Sequence, residues 1–294
     1  MPAETVTFPC RDVTLTADLY RPEGNGPRPA VVFSHGAFEF RENFREFGRF
    51  LAGRGIAALI PDMPGHGDSG GERYHIDIDR WVDAIGSAID FLENGEGIPA
   101  GAIGAFGFSS GGTAVLEAAL VDSRLAALVT LDATVRNYLG FWDTIGFKSL
   151  IAIGRLKRRL TGRDLLLKMP HLLDTAEMTC DPALNRRLRS DSRLRAAYSA
   201  LPLPGAAPCS FVDTIRRVER ITIPTRVIHG GHDRVDPPET GTMLHKRLTC
   251  VKDLHILPRS GHFGHLDHDR DRVMELTAGW MLEHLHECGK GGSA

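Results

Sequence analysis

One stretch of the sequence constrains the fold more than any other: a short apolar run, a Gly-x-Ser-x-Gly turn and a helix-forming run. The apolar run begins at Ile103, the turn spans residues 107–111, and the predicted helix covers residues 113–121. Such a turn holds the hydroxyl of its serine away from the sheet, while the glycines let strand and helix cross closely. Gly-x-Ser-x-Gly also arises by chance, but this strand and helix context favours a functional turn. The apex residue, Ser109, is therefore the candidate nucleophile.

The rest of the chain shows two kinds of predicted strand. Residues 14–20 alternate apolar and polar side chains, which is typical of a half-exposed antiparallel strand. Residues 29–33 and 125–131 are continuously apolar, as central strands covered on both faces are. Further strands are predicted over residues 5–9, 56–60, 223–228 and 251–257. Amphipathic patterns predict helices over residues 42–53, 80–93, 239–248 and 269–286.

The alternation of strands and helices stops in the middle of the chain. We predict a core made of residues 1–132 and 223–288, a mainly helical cap inserted at residues 133–222, and a disordered tail at residues 289–294. A cap at this place would cover the ends of the strands, where open α/β sheets bind ligands. Two arginine-rich stretches inside it, residues 155–159 and 186–189, are interpreted as solvated helical faces.

A second signal is the His-Gly pair that follows the buried strand at residues 29–33. A loop at this place commonly gives one backbone N–H to an oxyanion hole, and the residue after the nucleophile gives the other. We assign these donors to Ala37 and Ser110, with Phe38 as the fallback for Ala37. Two aromatic side chains, Phe38 and Phe108, are predicted to contact the substrate. His35 is interpreted as a hydrogen-bonded histidine that shapes the loop.

A carboxylate and a histidine follow the last two predicted strands of the core. A serine hydroxyl needs a neighbouring base, and that histidine needs a carboxylate on its other nitrogen. Asp233 and His262 give the chain order Ser, acid, His that accompanies a Gly-x-Ser-x-Gly turn. His265 is an alternative base. Asp236, which precedes a proline and is also suited to capping a helix, and Asp132, at another strand end, are alternative acids.

Composition sets limits on partners and location. The net charge of −2 gives no reason to expect nucleic acid binding, and no apolar run approaches the length of a membrane span. The N-terminal residues lack the pattern of a secretory signal, and five scattered cysteines suggest reduced thiols, so we expect a cytoplasmic protein. The histidines form no His-Glu-x-x-His helix, which weakens a metal hypothesis. The sequence leaves the oligomeric state open, a homodimer included.

These residues together resemble the α/β-hydrolase superfamily. Within it, the chain is similar to the monoacylglycerol lipase/lysophospholipase-like serine hydrolases, a group that also shades into serine aminopeptidases of the S33 type. The resemblance covers about two thirds of the chain, on both sides of the predicted cap. The matching stretches are residues 34–37 with Glu39, residues 61–71, residues 107–112, residues 230–233 and residues 261–262.

The resemblance implies an α/β fold with an eight-stranded, mostly parallel sheet, flanking helices and a cap over the active site. It implies hydrolysis of a carboxylic ester or thioester of a small-molecule acyl substrate through an acyl-enzyme on Ser109, with no cofactor and no metal. Two alternatives use the same triad: an aminopeptidase, for which Glu177 is available to bind the substrate amine, and a carbon–carbon bond hydrolase. A more remote alternative is a ligand-binding protein without turnover.

Overall fold

An eight-stranded sheet organises the part of the chain that the computed structural model describes, residues 2–24, 28–99, 101–137 and 139–285. The strands are, in chain order, β1 (Glu4–Cys10), β2 (Val13–Tyr20), β3 (Ala30–Ser34), β4 (Ala57–Pro61), β5 (Ile103–Phe108), β6 (Leu125–Leu131), β7 (Leu166–Leu167), β8 (Leu201–Pro202), β9 (Thr225–Gly230) and β10 (Lys252–Leu257). Eight of these ten strands form the sheet, in the order β1-β2-β4-β3-β5-β6-β9-β10, while β7 and β8 pair only with each other. Only the pairs β1–β2 and β2–β4 are antiparallel, which confirms the expected mostly parallel architecture.

The described residues form ten α-helices, which flank the sheet or lie in the segment between β6 and β9. They are α1 (Arg45–Gly53), α2 (Ile78–Glu96), α3 (Ser110–Ala118), α4 (Phe141–Thr161), α5 (Pro170–Thr175), α6 (Pro182–Ser190), α7 (Ser192–Ser199), α8 (Leu203–Ala206), α9 (Glu239–Arg247) and α10 (Arg270–His284). Side chains of α2, α3 and α9 share one apolar core with the sheet, and those of α1 and α10 share the other. The central strands therefore have no face open to water.

Alternation along the central strands explains how one sheet supports two cores. In β3, Val31 and Phe33 enter the core that contains α1 and α10, whereas Val32 enters the core that contains α2 and α3. Every residue of β3 and β4 is buried. Full burial of each large aliphatic or aromatic side chain contributes about 1.5–3 kcal/mol, so these continuous apolar runs hold the sheet together.

Two predicted helices differ from the structure at their beginnings. The helix predicted over residues 42–53 starts with a 3-10 turn, Arg41–Phe44, and is α-helical only from Arg45. The backbone N–H of Arg41 donates to Asp62 Oδ1, and its buried guanidinium pairs with Asp62 and Asp18, which ties this turn to the core. The helix predicted over residues 80–93 begins earlier because Asp77 caps its N-terminus.

Between β6 and β9 the chain is mostly helical, and we call residues 133–222 the inserted segment. It contains α4 to α8, the small β7–β8 ribbon and three 3-10 turns at Ala207–Phe211, Thr214–Arg216 and Val218–Arg220. The core holds it partly through Ile76, whose N–H donates to Gly205 O (2.9 Å), and through His75, 2.9 Å from Asp164. The arginine-rich stretches lie on α4 and α6. The predicted tail, residues 289–294, lies outside the described residues.

Two further expectations concern membranes and cysteines. Within the described ranges, no helix has both the length and the apolar character that a bilayer crossing requires. The thiols of Cys10, Cys180, Cys209 and Cys250 are free. Cys288 lies outside the described residues.

Candidate active site

The turn at Ser109 is built by close backbone contacts that only glycine permits. Ser109 joins β5 to α3 with φ 53°, a left-handed conformation that is uncommon for a residue with a side chain. A Cβ on Gly107 would lie 2.3 Å from the carbonyl oxygen of Gly111, and a Cβ on Gly111 would lie 2.0 Å from that of Ser34. The glycines thus allow β5, α3 and the end of β3 to meet, with Ser109 between them.

Backbone and carboxylate contacts hold the loop that carries His262 after β10. The N–H of Gly261 donates to Asp267 Oδ2 (2.9 Å), and the N–H of His262 donates to the carbonyl oxygen of Met178 (2.7 Å). Asp267 also accepts the N–H groups of Cys180 and Asp181. One buried carboxylate therefore fastens the histidine loop to the inserted segment.

Asp233 lies in the turn after β9, and its carboxylate is well supplied with donors. Its Oδ1 accepts the N–H groups of Val235 (2.8 Å) and Asp236 (3.0 Å). Its Oδ2 lies 2.8 Å from His262 Nδ1. These bonds orient the carboxylate towards the imidazole.

The structure brings Ser109, His262 and Asp233 into one hydrogen-bonded line. His262 Nε2 lies 3.0 Å from Ser109 Oγ, while Nδ1 of the same ring faces Asp233. All three side chains are buried. The arrangement fits the tautomer with a proton on Nδ1, which leaves Nε2 free to accept the serine proton.

Electrostatics in this line favour a charged pair of His262 and Asp233. Burial by itself would lower the pKa of His262, but the charge of Asp233 and the hydrogen bond to it raise that pKa to about 9. Burial by itself would raise the pKa of Asp233, but the charge of His262 and their hydrogen bond lower it overall. An imidazolium that forms during a reaction would therefore be stabilised in place.

The residues assigned to the oxyanion hole and to substrate contact line the same cavity as Ser109. Ala37, Phe38, Phe108 and Ser110 all border it. Ser110 is the first residue of α3, where backbone N–H groups lack partners within the helix. Phe38 has φ 60°, so the loop after β3 turns sharply beside the nucleophile.

The alternative bases are engaged elsewhere. His265 Nε2 lies 2.7 Å from Glu39 Oε1, and its ring stacks on Phe44 at 4.5 Å. His35 Nε2 accepts the N–H of Met63 (2.9 Å), and its Nδ1 lies 2.8 Å from the carbonyl oxygen of Gly36. Burial lowers the pKa of His35, which suits a neutral histidine that shapes the loop.

The alternative acids also have other contacts. Asp236 Oδ2 accepts the hydroxyl of Thr134 (2.7 Å), and its side chain does not cap α9, whose first turn follows Pro238. Asp132 Oδ1 accepts the N–H of Gly230 (2.6 Å). Among the described carboxylates, Asp233 is the one that hydrogen-bonds His262.

One cluster has the composition of a metal site. Among the described residues, the group of three possible ligands whose atoms lie within 4.8 Å of one another is Asp132, His229 and Asp233. His229 Nε2 lies 2.8 Å from the carbonyl oxygen of Asp236, and Asp233 Oδ2 is bonded to His262. Because the ligand atoms that His229 and Asp233 would offer are already engaged, the cluster does not fit a metal ion.

The cavity at Ser109 has a volume of about 360 Å³, near the lower end of the range of small-molecule sites. The inserted segment contributes part of its wall, including Met178, Leu194, Tyr198 and Cys209. A larger cavity of about 540 Å³ shares Phe38, Leu194 and Phe263 with it but does not include Ser109. We consider the smaller cavity the candidate active site because Ser109, the candidate nucleophile, lines it.

Sequence analysis missed two features of this region. No pattern marks Met178, Tyr198 or Cys209, because helices of the inserted segment bring them to the cavity through tertiary packing. The buried pair of Glu39 and His265 was also missed. The sequence contained one signal for this pair: Glu39 lies beside the His-Gly loop after a buried strand, and charged residues are rarely buried unless they are paired.

Comparisons with known proteins give the family and the fold of this chain. The family described as serine aminopeptidase, S33, matches residues 25–269. The quorum-quenching protein AidA of Acinetobacter baumannii is 32% identical over 275 residues, covering 88% of this chain and 87% of that protein. A monoacylglycerol lipase of Mycolicibacterium smegmatis is 23% identical over 287 residues, covering 93% and 94%. The crystal structure of the α/β hydrolase GrgF from Penicillium sp. sh18 superposes with a TM-score of 0.80 at 20% identity, covering 97% of this chain and 99% of that one.

Proposed function

The chain belongs to the serine aminopeptidase S33 family of α/β-hydrolases and is a hydrolase, and from this premise we propose that it cleaves a carboxylic ester or thioester. The proposed catalytic residues are Ser109, His262 and Asp233. The observation that carries the proposal is the pair of contacts of 3.0 Å and 2.8 Å that joins the three side chains. A serine beside a buried histidine and carboxylate is the arrangement that acyl transfer needs.

In the first half of the reaction, Ser109 Oγ attacks the carbonyl carbon while its proton passes to His262 Nε2. The N–H groups of Ala37 and Ser110 bind the oxyanion that forms, and each such donor is typically worth about 3 kcal/mol in the transition state. Asp233 stabilises the imidazolium. The bond to the leaving oxygen or sulfur then breaks, and His262 returns the proton to the leaving group.

In the second half, water takes the place of the leaving group. His262 removes a proton from the water as it attacks the acyl carbon, and the bond between that carbon and Ser109 Oγ breaks. The same proton returns to Ser109, and the carboxylic acid leaves. Every proton in this cycle passes through His262, so the chemistry uses no cofactor and no metal.

The lining of the cavity favours an ester over a peptide with a free amino terminus. Binding an amine calls for a carboxylate free to accept its protons. Glu177, the carboxylate available for this role, is exposed, pairs with Arg234 and does not line the cavity. Asp236 lines the cavity, but one of its oxygens already accepts the hydroxyl of Thr134. The similarity to a monoacylglycerol lipase also supports an ester substrate.

We further propose that the inserted segment acts as the cap and selects the acyl group. Its residues Met178, Leu194 and Tyr198 border the cavity together with Phe38 and Phe108 of the core. A wall of this composition suits a small or medium apolar acyl chain, because substrate choice depends on pocket shape. The proposed partner is a small-molecule acyl substrate, and the free thiols of the described cysteines are compatible with the expected cytoplasmic location.

The test is the variant Ser109→Ala, assayed with p-nitrophenyl esters of several chain lengths. We expect kcat to fall by about 10⁶-fold, as when the nucleophile of a triad is removed. The fold should persist, because alanine keeps the Cβ that the turn already accommodates. Thermal unfolding followed by circular dichroism checks this.

Ser110→Ala is the matched control, since the oxyanion donor assigned to that position is a backbone N–H. The Ser110→Ala variant should keep activity within about tenfold, because none of the three triad residues is changed. Wild-type turnover by a folded Ser109→Ala variant would contradict the proposal and would favour either another nucleophile or background hydrolysis.

A further inference from the structure

A second buried carboxyl group lies beside the proposed triad, and the mechanism above does not use it. Asp132 follows β6, between the ends of β5 and β9, and its side chain has no exposure to solvent. Its backbone has φ 49°, a conformation that costs on the order of 1–3 kcal/mol for a residue with a side chain. Strain and burial together at one residue suggest that its carboxyl group has a function.

Asp132 accepts fewer hydrogen bonds than an ionised carboxylate needs. Oδ1 accepts the N–H of Gly230 (2.6 Å), whereas Oδ2 is buried and has no partner among the described residues. A Cβ placed on Gly264 would lie 3.6 Å from Oδ2, so this oxygen faces the loop that carries His262. An ionised carboxylate with only one donor would be costly in such a place, and a protonated one much less so.

The groups that face Asp132 explain which carboxyl group holds the charge. Oxygen atoms of Asp132 and Asp233 lie within 4.8 Å of each other, and two like charges at this distance disfavour each other. Asp233 has three donors, the N–H groups of Val235 and Asp236 and the imidazole of His262. Asp233 is therefore better suited to carry the negative charge.

The other titratable neighbours compensate a charge on Asp132 only in part. The charge of His262 works against burial and lowers the pKa of Asp132, but Asp233 already pairs with that imidazole. His229 Nε2 is 3.9 Å from Asp132 Oδ1, but burial lowers the pKa of His229. Asp236 is a third buried carboxyl group, and burial raises its pKa. Burial, followed by the charge of Asp233, raises the pKa of Asp132 well above its usual value.

Building on the proposed function, we propose that Asp132 is a proton-bearing positioning residue: Asp132 and Asp233 together carry one proton and one negative charge. The proton stays on Oδ2 of Asp132 while Asp233 supports His262. When the carboxyl group of Asp233 is removed, Asp132 releases this proton to solvent and becomes the anion that stabilises the imidazolium of His262. The chain thus contains a reserve acid at the end of a neighbouring strand.

A double-mutant cycle tests the reserve role. Asp132→Asn alone should keep kcat/KM within about threefold, because the amide oxygen still accepts the N–H of Gly230 and no charge is lost. Asp233→Ala should lose about 10²-fold, and Asp132→Asn with Asp233→Ala about 10⁴-fold, the loss typical of a triad without its acid. A double variant no less active than Asp233→Ala would overturn the proposal.

The cycle separates this proposal from the proposed function. A folded Asp233→Ala variant with wild-type kcat would contradict the triad itself. If Asp233→Ala loses activity and the second substitution adds nothing, the triad stands and only the role of Asp132 fails. Unfolding temperatures of the three variants show whether lost activity reflects lost folding.

The pH profile of kcat/KM shows whether Asp132 carries a charge in the wild type. Neutral His262 is the base, so kcat/KM rises with pH through the pKa of His262. If Asp132 is neutral, Asp132→Asn leaves this acid limb where it is in the wild type. If Asp132 were an anion, its removal would lower the pKa of His262 and move the limb to lower pH, which would overturn the proposal.

Infrared difference spectroscopy tests the proton directly, without a need for activity. The spectrum of the wild type minus that of Asp132→Asn should contain the C=O band of a protonated carboxyl group. Asp269→Asn is the matched control, because the carboxylate of Asp269 pairs with Arg259 and its removal should not remove that band. Absence of the band from the Asp132 difference spectrum would contradict the proposal.

Discussion

The core and the inserted segment contribute to the candidate active site in different ways. The core places Ser109, Asp233 and His262 in the turns and loops that follow β5, β9 and β10, at the same edge of the sheet. The inserted segment contributes walls of the cavity, and its long helix α4 leaves large apolar side chains in solvent, with Trp142 79% exposed. No residue of β3 or β4 has comparable exposure.

If the proposed function holds, this difference separates the residues that carry the chemistry from those that select the substrate. Strand ends in a sheet with two buried faces cannot shift without disturbing two apolar cores, so groups placed there keep their geometry. The helices of the inserted segment are joined to the core by side-chain and loop contacts, such as Ile76 to Gly205 and His75 to Asp164, and not by pairing in the eight-stranded sheet, which leaves them freer to differ in shape. We therefore expect substitutions in the core to remove activity and substitutions in the inserted segment to change which substrate is used.

The largest expected effect compares a carboxylate of the core with one of the inserted segment. Asp233→Asn should lower kcat/KM by about 10⁴-fold, because an amide favours the wrong tautomer of His262. Glu177→Gln should leave it within about twofold, because exposed ion pairs such as that with Arg234 contribute little. Steady-state kinetics with an ester measure both variants.

Two outcomes would contradict the comparison. Equal losses in the two variants would place a catalytic carboxylate in the inserted segment. A loss confined to amide substrates in Glu177→Gln would favour the aminopeptidase alternative over the ester hydrolase.

The free energy of unfolding should show the same contrast between the core and the inserted segment when one glycine of each is replaced by alanine. Gly111→Ala places a Cβ 2.0 Å from the carbonyl oxygen of Ser34, and we expect it to cost about 3 kcal/mol or more and to abolish activity. Gly146→Ala, on an exposed turn of α4 with no atom within 4 Å of the new Cβ, should gain about 0.5–1 kcal/mol. Urea unfolding gives both values, and a stable, active Gly111→Ala variant would contradict the close crossing at the turn.

The smallest expected effect concerns a wall of the cavity. The ring of Tyr198 lies 5.7 Å from that of Phe38, and both residues line the cavity. Tyr198→Ala should raise KM for longer acyl esters by about tenfold and leave kcat/KM for an acetate ester within about threefold. Leu172→Ala, on an exposed part of α5 outside this cavity, is the control. A uniform fall for all chain lengths would assign Tyr198 to the chemistry instead.

The same contrast explains how much the sequence could predict. The order of motifs along the chain predicted Ser109, Asp233 and His262, because the proposed chemistry requires a turn with a serine, then a carboxylate and then a histidine, each after a strand. The structure brings these three side chains within hydrogen-bonding distance. Helix beginnings were harder. The buried ion pairs of Arg41 depend on tertiary neighbours, whereas the cap of Asp77 on the N–H groups of Asp79 and Arg80 is local and was a signal that the sequence contained. Tyr198 and Cys209 could not be predicted, because no local pattern records which helix of the inserted segment faces the cavity.

Labelling with a fluorophosphonate probe tests the central claim most directly. The probe reacts with a serine whose hydroxyl is activated by a neighbouring base. We expect one adduct by intact mass, mapped by peptide analysis to Ser109, with the adduct absent from Ser109→Ala and strongly slowed in Asp233→Asn. An unlabelled wild-type protein, or an adduct on a residue other than Ser109, would contradict the assignment of Ser109 as an activated nucleophile.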